Sequence, residues 1–240
     1  MAGAATIGLF AASPAQALDE AQTTEIEAVI QNYLNENPHV IADALSQHQA
    51  NEQQRQEQAA TAKLSEYKDY FATSDLPFAG NPDGDVVIVE FFDYNCGFCK
   101  RALTDIEETL EKDDNVKIIF QEMPILGPSS RVMAEYSLAA HKQGKYFDYH
   151  RAIMHFNGSK DAEQLEKLAE EAGLDVEQLK IDAKSPEIAA EIQKSIDIAG
   201  DIGVRGTPAF IIGNDLHKGY LGPGGLVNEI EKARSANSAE

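Results

Sequence analysis

The two cysteines of the chain, Cys96 and Cys99, are the residues whose type and spacing best suit chemistry. They follow VVIVEFFDY (86–94), a β-branched and aromatic run that predicts a buried strand. Residues 96–112 then have apolar positions at helical spacing, so the pair lies where a strand leads into a helix. The unpaired N–H groups and positive dipole end of a helix N-terminus stabilise a thiolate. We therefore expect Cys96 to be the attacking sulfur and Cys99, one turn further, to be buried and to resolve the mixed disulfide.

Two other roles of a cysteine pair are less consistent with this sequence. A C-x-x-C can form half of a zinc site, but the chain has no second such pair, and its six histidines lack finger-like spacing. A purely structural disulfide would close only a tiny loop, and small secreted scaffolds have more cysteines. We therefore expect a redox pair, with no bound metal and no cofactor.

Glu90 lies six residues before Cys96 in an otherwise apolar strand. Strand alternation places it on the same side as Phe92 and Tyr94. Burial raises the pKa of a carboxyl group, which suits a proton acceptor for the thiol of Cys99. The alternative is an acid at the edge of the strand that faces water.

Two further positions near the cysteines have features that suit a site. Thr207-Pro208 precedes an apolar strand, and proline is permitted at a first strand position. A cis bond there would form a tight corner beside the cysteines. Phe98, between the two cysteines, is placed to contact a substrate.

Composition limits the classes of function. The chain has 240 residues, of which 43% are hydrophobic, enough for a core and for one domain with an extension or two small domains. Its 40 acidic and 20 basic residues give a net charge of -20, which argues against a nucleic-acid partner and favours a well-solvated surface. No apolar run is long enough to span a bilayer.

The N-terminal region has three parts. Residues 1–17 predict the apolar part of a secretory signal that ends in A-Q-A, although no basic residue precedes it; the alternative is a flexible alanine-rich terminus. Residues 24–36 predict an amphipathic helix, and Pro38 suits the start of a second one. Residues 46–62 are helix formers with almost no large apolar side chain, typical of a solvent-crossing helix or linker. The apolar patch from Ile26 to Leu45 would either pair with copies of itself or dock on its own domain.

The remaining segments predict the order of the main domain. A strand (86–94), a helix and a second strand (116–124) form a βαβ unit with a parallel pair. Residues 128–203 are largely helical. Two short strands (207–213 and 216–222) and an amphipathic helix close the chain. The class is therefore α/β, with the sheet split around a helical insertion.

Three separated segments resemble the DsbA-like branch of the thioredoxin superfamily: EFFDYNCGFCK (90–100), PILGPSS (124–130) and RGTPAFIIG (205–213). The resemblance covers about residues 76–235. It implies a thioredoxin fold with an inserted helical domain, preceded here by a helical extension. The expected division is a signal peptide at 1–17, an N-terminal helical extension and linker helix at 18–73, the first part of the thioredoxin fold at 74–127, the helical insertion at 128–203, and the second part of the fold at 204–240.

The resemblance also implies roles for particular residues. Cys96 corresponds to the attacking cysteine of the family and Cys99 to its resolving cysteine. Glu90 matches the buried acid and Pro208 the cis-proline. Thr207 then lies next to the reactive sulfurs and tunes substrate release, while the proline loop pairs with the substrate backbone.

The N-terminal segment IEAVIQNYLNENPHVIADAL (26–45), followed by a glutamine-rich helix, resembles the ScsC proteins, the suppressors of copper sensitivity. Some members trimerise through this extension and act as disulfide isomerases. Gly97-Phe98 and Thr207 are similar to the isomerase pattern. The resemblance implies a periplasmic homo-oligomer, with a trimer favoured, that acts on misfolded or misoxidised secreted proteins. It also implies a membrane redox partner that reduces the cysteine pair or, for an oxidase, oxidises it.

Three functions remain open from the sequence. The first is a disulfide isomerase or reductase that uses Cys96 and Cys99. The second is a dithiol oxidase, which uses the same residues from the opposite resting redox state. The third is a copper-binding protein, because thiolates suit Cu(I), although only two soft ligands are evident.

Overall fold

The computed structural model describes residues 19–73, 75–222 and 224–237, so the expected signal peptide at 1–17 lies outside the described residues. The chain divides into two compact units, one ending at Gln54 and one beginning at Arg55. The elements in chain order are α1 (Glu20–Glu36), α2 (His39–Glu66), α3 (Lys68–Thr73), β1 (Phe78–Gly80), β2 (Val86–Phe92), α4 (Gly97–Lys112), β3 (Val116–Glu122), α5 (Pro128–Lys142), α6 (Tyr146–His155), α7 (Ala162–Glu171), α8 (Val176–Asp182), α9 (Pro186–Asp201), β4 (Ala209–Ile212), β5 (Asp215–Lys218) and α10 (Gly225–Asn237).

The first unit contains an amphipathic helix whose apolar side is exposed. Helix α1 begins with a capping box, in which Asp19 accepts from the backbone N–H of Gln22 and the side chain of Gln22 accepts from the N–H of Asp19. No residue of α1 is buried. Four large apolar side chains at helical spacing are between 44% and 63% exposed: Ile26, Val29, Ile30 and Tyr33. None of the described helices is long and apolar enough to cross a bilayer.

The second unit is built on a five-stranded sheet in the order β1-β3-β2-β4-β5. Strands β2 and β3 are parallel, with Val86 opposite Val116, and the other three pairs are antiparallel. The parallel pair and the intervening α4 confirm the predicted βαβ unit. The short edge strand β1 has no counterpart in the sequence analysis, because three residues are too few to show alternation.

The end of α2 and all of α3 belong to the core of this second unit. Leu64 and Phe71 are buried in one cluster with Val89, Phe91 and Ile211, on one face of the sheet. Residues 55–73, which the sequence-based division groups with the N-terminal extension, therefore pack with the sheet.

The opposite face of the sheet is covered by α4, by α10 and by most of the helical insertion, whereas the end of α9 (Ile198 and Ala199) packs in the first cluster. Helix α4 buries one stripe, formed by Cys99, Ala102, Leu103, Ile106 and Thr109. Burying a Leu or Ile side chain contributes about 1.5–3 kcal/mol, so this stripe fixes the start of α4 against the sheet. The thioredoxin-like fold with a helical insertion is thus confirmed, and the cysteine pair lies at the N-terminal end of α4.

Candidate active site

Cys96 occupies the N-cap position of α4, immediately after the turn that ends β2. Its backbone is extended, and its sulfur accepts a hydrogen bond from the backbone N–H of Cys99 at 3.4 Å. The side chain of Cys96 is 7% exposed, whereas Cys99 is fully buried. Both cysteines are free thiols. The outer sulfur is therefore the one that a substrate can reach.

The surroundings of the two sulfurs shift their pKa values in opposite directions. The hydrogen bond from the Cys99 thiol lowers the pKa of Cys96 to about 5, helped by the Thr207 side chain and by the N–H groups of Cys99 and Phe98. Burial, followed by the bond to Cys96 and the charge of Glu90, raises the pKa of Cys99 far above its ordinary value. Cys96 is consequently a thiolate at neutral pH, while Cys99 holds its proton.

The loop before β4 brings a proline next to the reactive sulfur. The Thr207-Pro208 peptide bond is cis. The sulfur of Cys96 lies 3.3 Å from the carbonyl oxygen of Thr207, to which it can donate a hydrogen bond only in its protonated form. The carbonyl of Pro208 accepts from the N–H of Gly219 at 2.9 Å. The structure thus brings together Cys96, Thr207 and Pro208, three residues singled out from distant parts of the sequence.

Glu90 is buried beneath the pair. Its side chain is 1% exposed, and its Oε1 atom has no hydrogen-bond partner. Burial, and then the negative charge of Cys96, raises the pKa of Glu90 to about 8. Because the charge of Glu90 raises the pKa of the Cys99 thiol, the carboxyl lies within electrostatic range of that buried sulfur. The alternative of a water-facing acid at the strand edge does not apply to this side chain.

Phe98 lies on the outer side of the first turn of α4. Its ring is 51% exposed. The guanidinium of Arg101 lies 4.6 Å from the ring centroid, and the ring of Tyr220 is 6.1 Å away. About half of the Phe98 surface thus remains exposed to solvent near Cys96.

Asp93 organises the rim of the site, and the sequence analysis gave it no role. Its buried Oδ1 accepts from the N–H of Asn95 and from the hydroxyl of Ser130, each at 2.7 Å. Its Oδ2 accepts from the N–H groups of Ile125 and Leu126 at 2.8 and 2.9 Å. One carboxylate therefore joins the turn before Cys96 to the loop after β3. The sequence feature that could have identified Asp93 is an acidic residue directly after an apolar strand.

A second buried acid, Glu122, joins the insertion to the end of β2. Its Oε1 accepts from Tyr146 at 2.8 Å and from Tyr94 at 3.3 Å. The Tyr94 hydroxyl also lies 2.9 Å from Nδ1 of His150. Burial raises the pKa of Glu122 well above its ordinary value, so the group is a neutral acid in this apolar interface.

One cluster of potential metal ligands occurs in the described part of the chain, away from the cysteines. Ligand atoms of Asp215, His217 and Glu229 lie within 4.8 Å of one another. The ammonium of Lys232 lies 2.8 Å from Asp215 and 3.4 Å from Glu229. The ammonium of Lys232 thus already pairs with both carboxylates, and no sulfur belongs to the cluster.

The family model of the DSBA-like thioredoxin domain matches residues 87–230, which include both cysteines, Glu90 and Pro208. The chain belongs to this family. The predicted resemblance to DsbA-like proteins is thereby confirmed, and the Cys96–Cys99 pair lies in a domain of the thiol–disulfide oxidoreductase type.

Solved structures agree with this family. A thioredoxin-like oxidoreductase from Silicibacter pomeroyi is 38% identical, with a TM-score of 0.67, covering 70% of this chain and 98% of the other. The thiol-disulfide exchange protein alpha-DsbA2 from Wolbachia pipientis is 31% identical, with a TM-score of 0.68, covering 73% and 96%. A linker-deletion variant of ScsC from Proteus mirabilis shares the fold at 24% identity and a TM-score of 0.69, covering 93% and 100%.

Some curated relatives are much longer than this chain. Na(+)/H(+) antiporters from Mycobacterium strains are 28% identical over 160 residues, which is 65% of this chain and 26% of theirs. The chain therefore spans about a quarter of the length of these relatives.

Proposed function

We propose that the protein is an exported disulfide isomerase and reductase, acting on misfolded or misoxidised secreted proteins through Cys96 and Cys99. The observation that carries this proposal beyond the family is the exposed apolar side of α1, formed by Ile26, Val29, Ile30 and Tyr33. A chain that presents a reactive thiolate and an uncovered apolar helix is suited to assemble several active sites around one substrate.

The first step is attack by the Cys96 thiolate on a disulfide of the substrate. A bond forms between Cys96 Sγ and one substrate sulfur, and the other substrate sulfur leaves as a thiolate. The pKa of about 5 keeps Cys96 ionised at neutral pH, so no base is needed for this step. Phe98 and the Thr207-Pro208 loop flank the sulfur and are proposed to hold the substrate, the loop by pairing with its extended backbone.

The mixed disulfide can then react in two ways. In isomerisation, another substrate thiolate attacks the mixed disulfide, and Cys96 leaves again as a thiolate without net electron transfer. In reduction, the thiol of Cys99 passes its proton to Glu90 and attacks Cys96, which releases the reduced substrate and leaves a Cys96–Cys99 disulfide. The sulfur of Cys96 is uncharged in the mixed disulfide, so the repulsion that raises the pKa of Glu90 is weaker. A larger fraction of Glu90 is therefore ionised in the mixed disulfide, the state in which its carboxylate must accept the proton of Cys99.

Reduction consumes the dithiol, so an electron donor must restore it. We propose a membrane redox partner for this step and a periplasmic location for the chain. Both follow the DsbA-like family, and the predicted signal at 1–17 supports export.

The oligomer is proposed to form through α1, with a trimer favoured. The double variant Ile26→Asp/Ile30→Asp places two charges on the exposed apolar side. The matched control Ala28→Asp/Gln31→Asp adds the same charge to the opposite side of the helix. Sedimentation should give an oligomer for the wild type and the control, and a monomer for Ile26→Asp/Ile30→Asp. A monomeric wild type would contradict assembly through α1.

The same three proteins, with Cys96→Ala as a fourth, test the activity. Each is added to a scrambled multi-disulfide enzyme in a glutathione buffer, and the regain of that enzyme's activity is measured. We expect reactivation by the wild type and the Ala28→Asp/Gln31→Asp control, much less by Ile26→Asp/Ile30→Asp, and none by Cys96→Ala. Equal reactivation by both double variants would show that isomerase activity does not depend on the apolar side of α1.

A dithiol oxidase is the second candidate, and the low pKa of Cys96 favours it. A stabilised thiolate is a good leaving group, which makes the corresponding disulfide oxidising. Trapping free thiols in the native compartment with an alkylating tag separates the two functions. A mostly reduced pair supports the isomerase, and a mostly oxidised pair supports the oxidase.

A further inference from the structure

Four basic residues lie close to the cysteine pair or to Thr207, along the chain or through a contact, although the chain has 40 acidic and only 20 basic residues. Lys100 and Arg101 follow Cys99 directly on α4, and Arg205 lies two residues before Thr207. Lys160, from the loop between α6 and α7, reaches back to the carbonyl oxygen of Tyr94 at 3.5 Å. Three separate segments thus contribute positive charge to the surroundings of one sulfur.

These four cations have no ion-pair partner among the residues that the structure describes. The carboxylate that acts on Lys160 is that of Asp93, but its two oxygens already accept four hydrogen bonds. Elsewhere on the molecule, lysines such as Lys63, Lys112 and Lys180 contact acidic side chains directly. These four basic groups near the active site therefore carry positive charge that no direct ion pair neutralises.

Lys100 and Lys160 are the most constrained of these four residues. Both side chains are half-buried, and they come from α4 and from the insertion, respectively. Partial burial, and then repulsion by Lys100, lowers the pKa of Lys160 to about 8. Both residues lie beside the turn that leads into Cys96, because Lys160 bonds to the carbonyl of Tyr94 and the backbone N–H of Lys100 bonds to the carbonyl of Cys96 at 3.2 Å. Two like charges at one turn repel each other, and an anion bound there would relieve that repulsion.

We propose that Lys100 and Lys160 form a carboxylate subsite, which selects substrate polypeptides with an Asp or Glu side chain next to the reacting cysteine. The subsite rests on the proposed thiol–disulfide chemistry and adds a preference to it. Lys160 contacts the carbonyl of Tyr94, two residues before Cys96, so a carboxylate held there belongs to a residue close to the substrate cysteine. The net charge of -20 repels acidic polypeptides at a distance. The local positive charge of Lys100 and Lys160 offsets this repulsion at the active site and allows such polypeptides to reach Cys96.

The test compares two short peptides that differ only in the residues beside a single cysteine, Glu in one and Gln in the other. Each is prepared as a disulfide with 2-mercaptoethanol, an uncharged thiol, and is mixed with the reduced full-length protein. The readout is the ratio of the two rate constants for mixed-disulfide formation, Glu peptide over Gln peptide. We expect this ratio to fall by roughly three- to tenfold from the wild type to Lys100→Gln/Lys160→Gln.

The matched control is Lys167→Gln/Lys184→Gln, which removes the same charge from exposed positions of the insertion. Its ratio should equal that of the wild type. A general effect of charge on the Cys96 thiolate changes both peptides alike and cancels in the ratio. An equal ratio in the wild type and in Lys100→Gln/Lys160→Gln would overturn the proposal.

The salt dependence of the Glu-to-Gln ratio gives a second test. Added salt screens both the local ion pair and the long-range repulsion by the acidic chain, and only the ion pair is lost in Lys100→Gln/Lys160→Gln. The wild-type ratio divided by the ratio of this variant should therefore decrease as salt is added, and a quotient that stays constant or rises would overturn the subsite. Failure of the proposed function looks different, because the Gln peptide itself would then react no faster with the wild type than with Cys96→Ala.

Discussion

The sulfur of Cys96 lies 3.3 Å from the carbonyl oxygen of Thr207, the residue that precedes cis-Pro208. This contact joins the start of α4 to the loop before β4, two segments more than 100 residues apart in the chain. In the proposed mechanism, a polypeptide attached to Cys96 lies along this loop and pairs with the backbone of Thr207.

The acidity of Cys96 can be measured directly. A pKa of about 5 predicts that the rate of alkylation by iodoacetamide rises with a midpoint near pH 5. Mass spectrometry of the modified peptide should place the label on Cys96, while Cys99 stays unlabelled in the folded protein. A midpoint near that of free cysteine, about 8.5, would contradict the proposed stabilisation of the thiolate.

The same shift predicts a pH-dependent stability of the reduced protein. The folded pKa of Cys96 is lower than the unfolded value, so the thiolate stabilises the folded state fully above the unfolded pKa and loses this contribution as pH falls through about 5. The oxidised protein has no such thiol. Denaturant unfolding should show the stability of the reduced form, relative to the oxidised form, increasing from pH 5 to 7. A flat difference would contradict the account.

Glu90→Gln should slow the resolving step without preventing attack by Cys96. The amide cannot accept the proton of Cys99, so the mixed disulfide with a model peptide should persist roughly ten- to a hundredfold longer. Glu122→Gln is the matched control, because Glu122 is equally buried but bonds to tyrosines. Rapid quenching with acid and separation of the products measure the lifetime. Equal lifetimes in the two variants would argue against Glu90 as proton acceptor.

Asp93→Ala should loosen the rim of the site and destabilise the fold. Four donors lose a buried acceptor, which is expected to cost about 3 kcal/mol of unfolding free energy. Asp83→Ala, in the exposed turn before β2, serves as control and should change stability by less than about 0.5 kcal/mol. Urea unfolding of both variants checks this. A similar small effect in both would show that Asp93 does not organise the loops.

Much of the fold was predictable from local patterns. The apolar run that became β2, the stripe that buries Cys99 and Ile106, and the second strand β3 each follow from periodicity alone. The sequence also indicates which cysteine attacks, because the dipole and free N–H groups of a helix N-terminus stabilise the thiolate of the nearest residue, which is Cys96.

Other features depend on contacts between distant segments. The bonds of Asp93 to the loop after β3, and of Glu122 to Tyr146, join residues whose own sequence surroundings carry no sign of one another. The packing of Leu64 and Phe71 against the sheet likewise places residues 55–73 in the second unit, although their composition is similar to that of a linker. Pairing across such separations is decided by the assembled core, not by the local sequence.

The central claim is that Cys96 attacks and Cys99 resolves, and trapping the covalent intermediate tests it most directly. The variants Cys99→Ala and Cys96→Ala, each in its reduced form, are incubated with a disulfide-containing substrate protein, quenched with acid and separated without reductant. We predict a stable covalent complex with Cys99→Ala, joined through Cys96 as identified by mass spectrometry, and none with Cys96→Ala. A complex that forms through Cys99 in Cys96→Ala, or the lack of any complex with Cys99→Ala, would contradict the account.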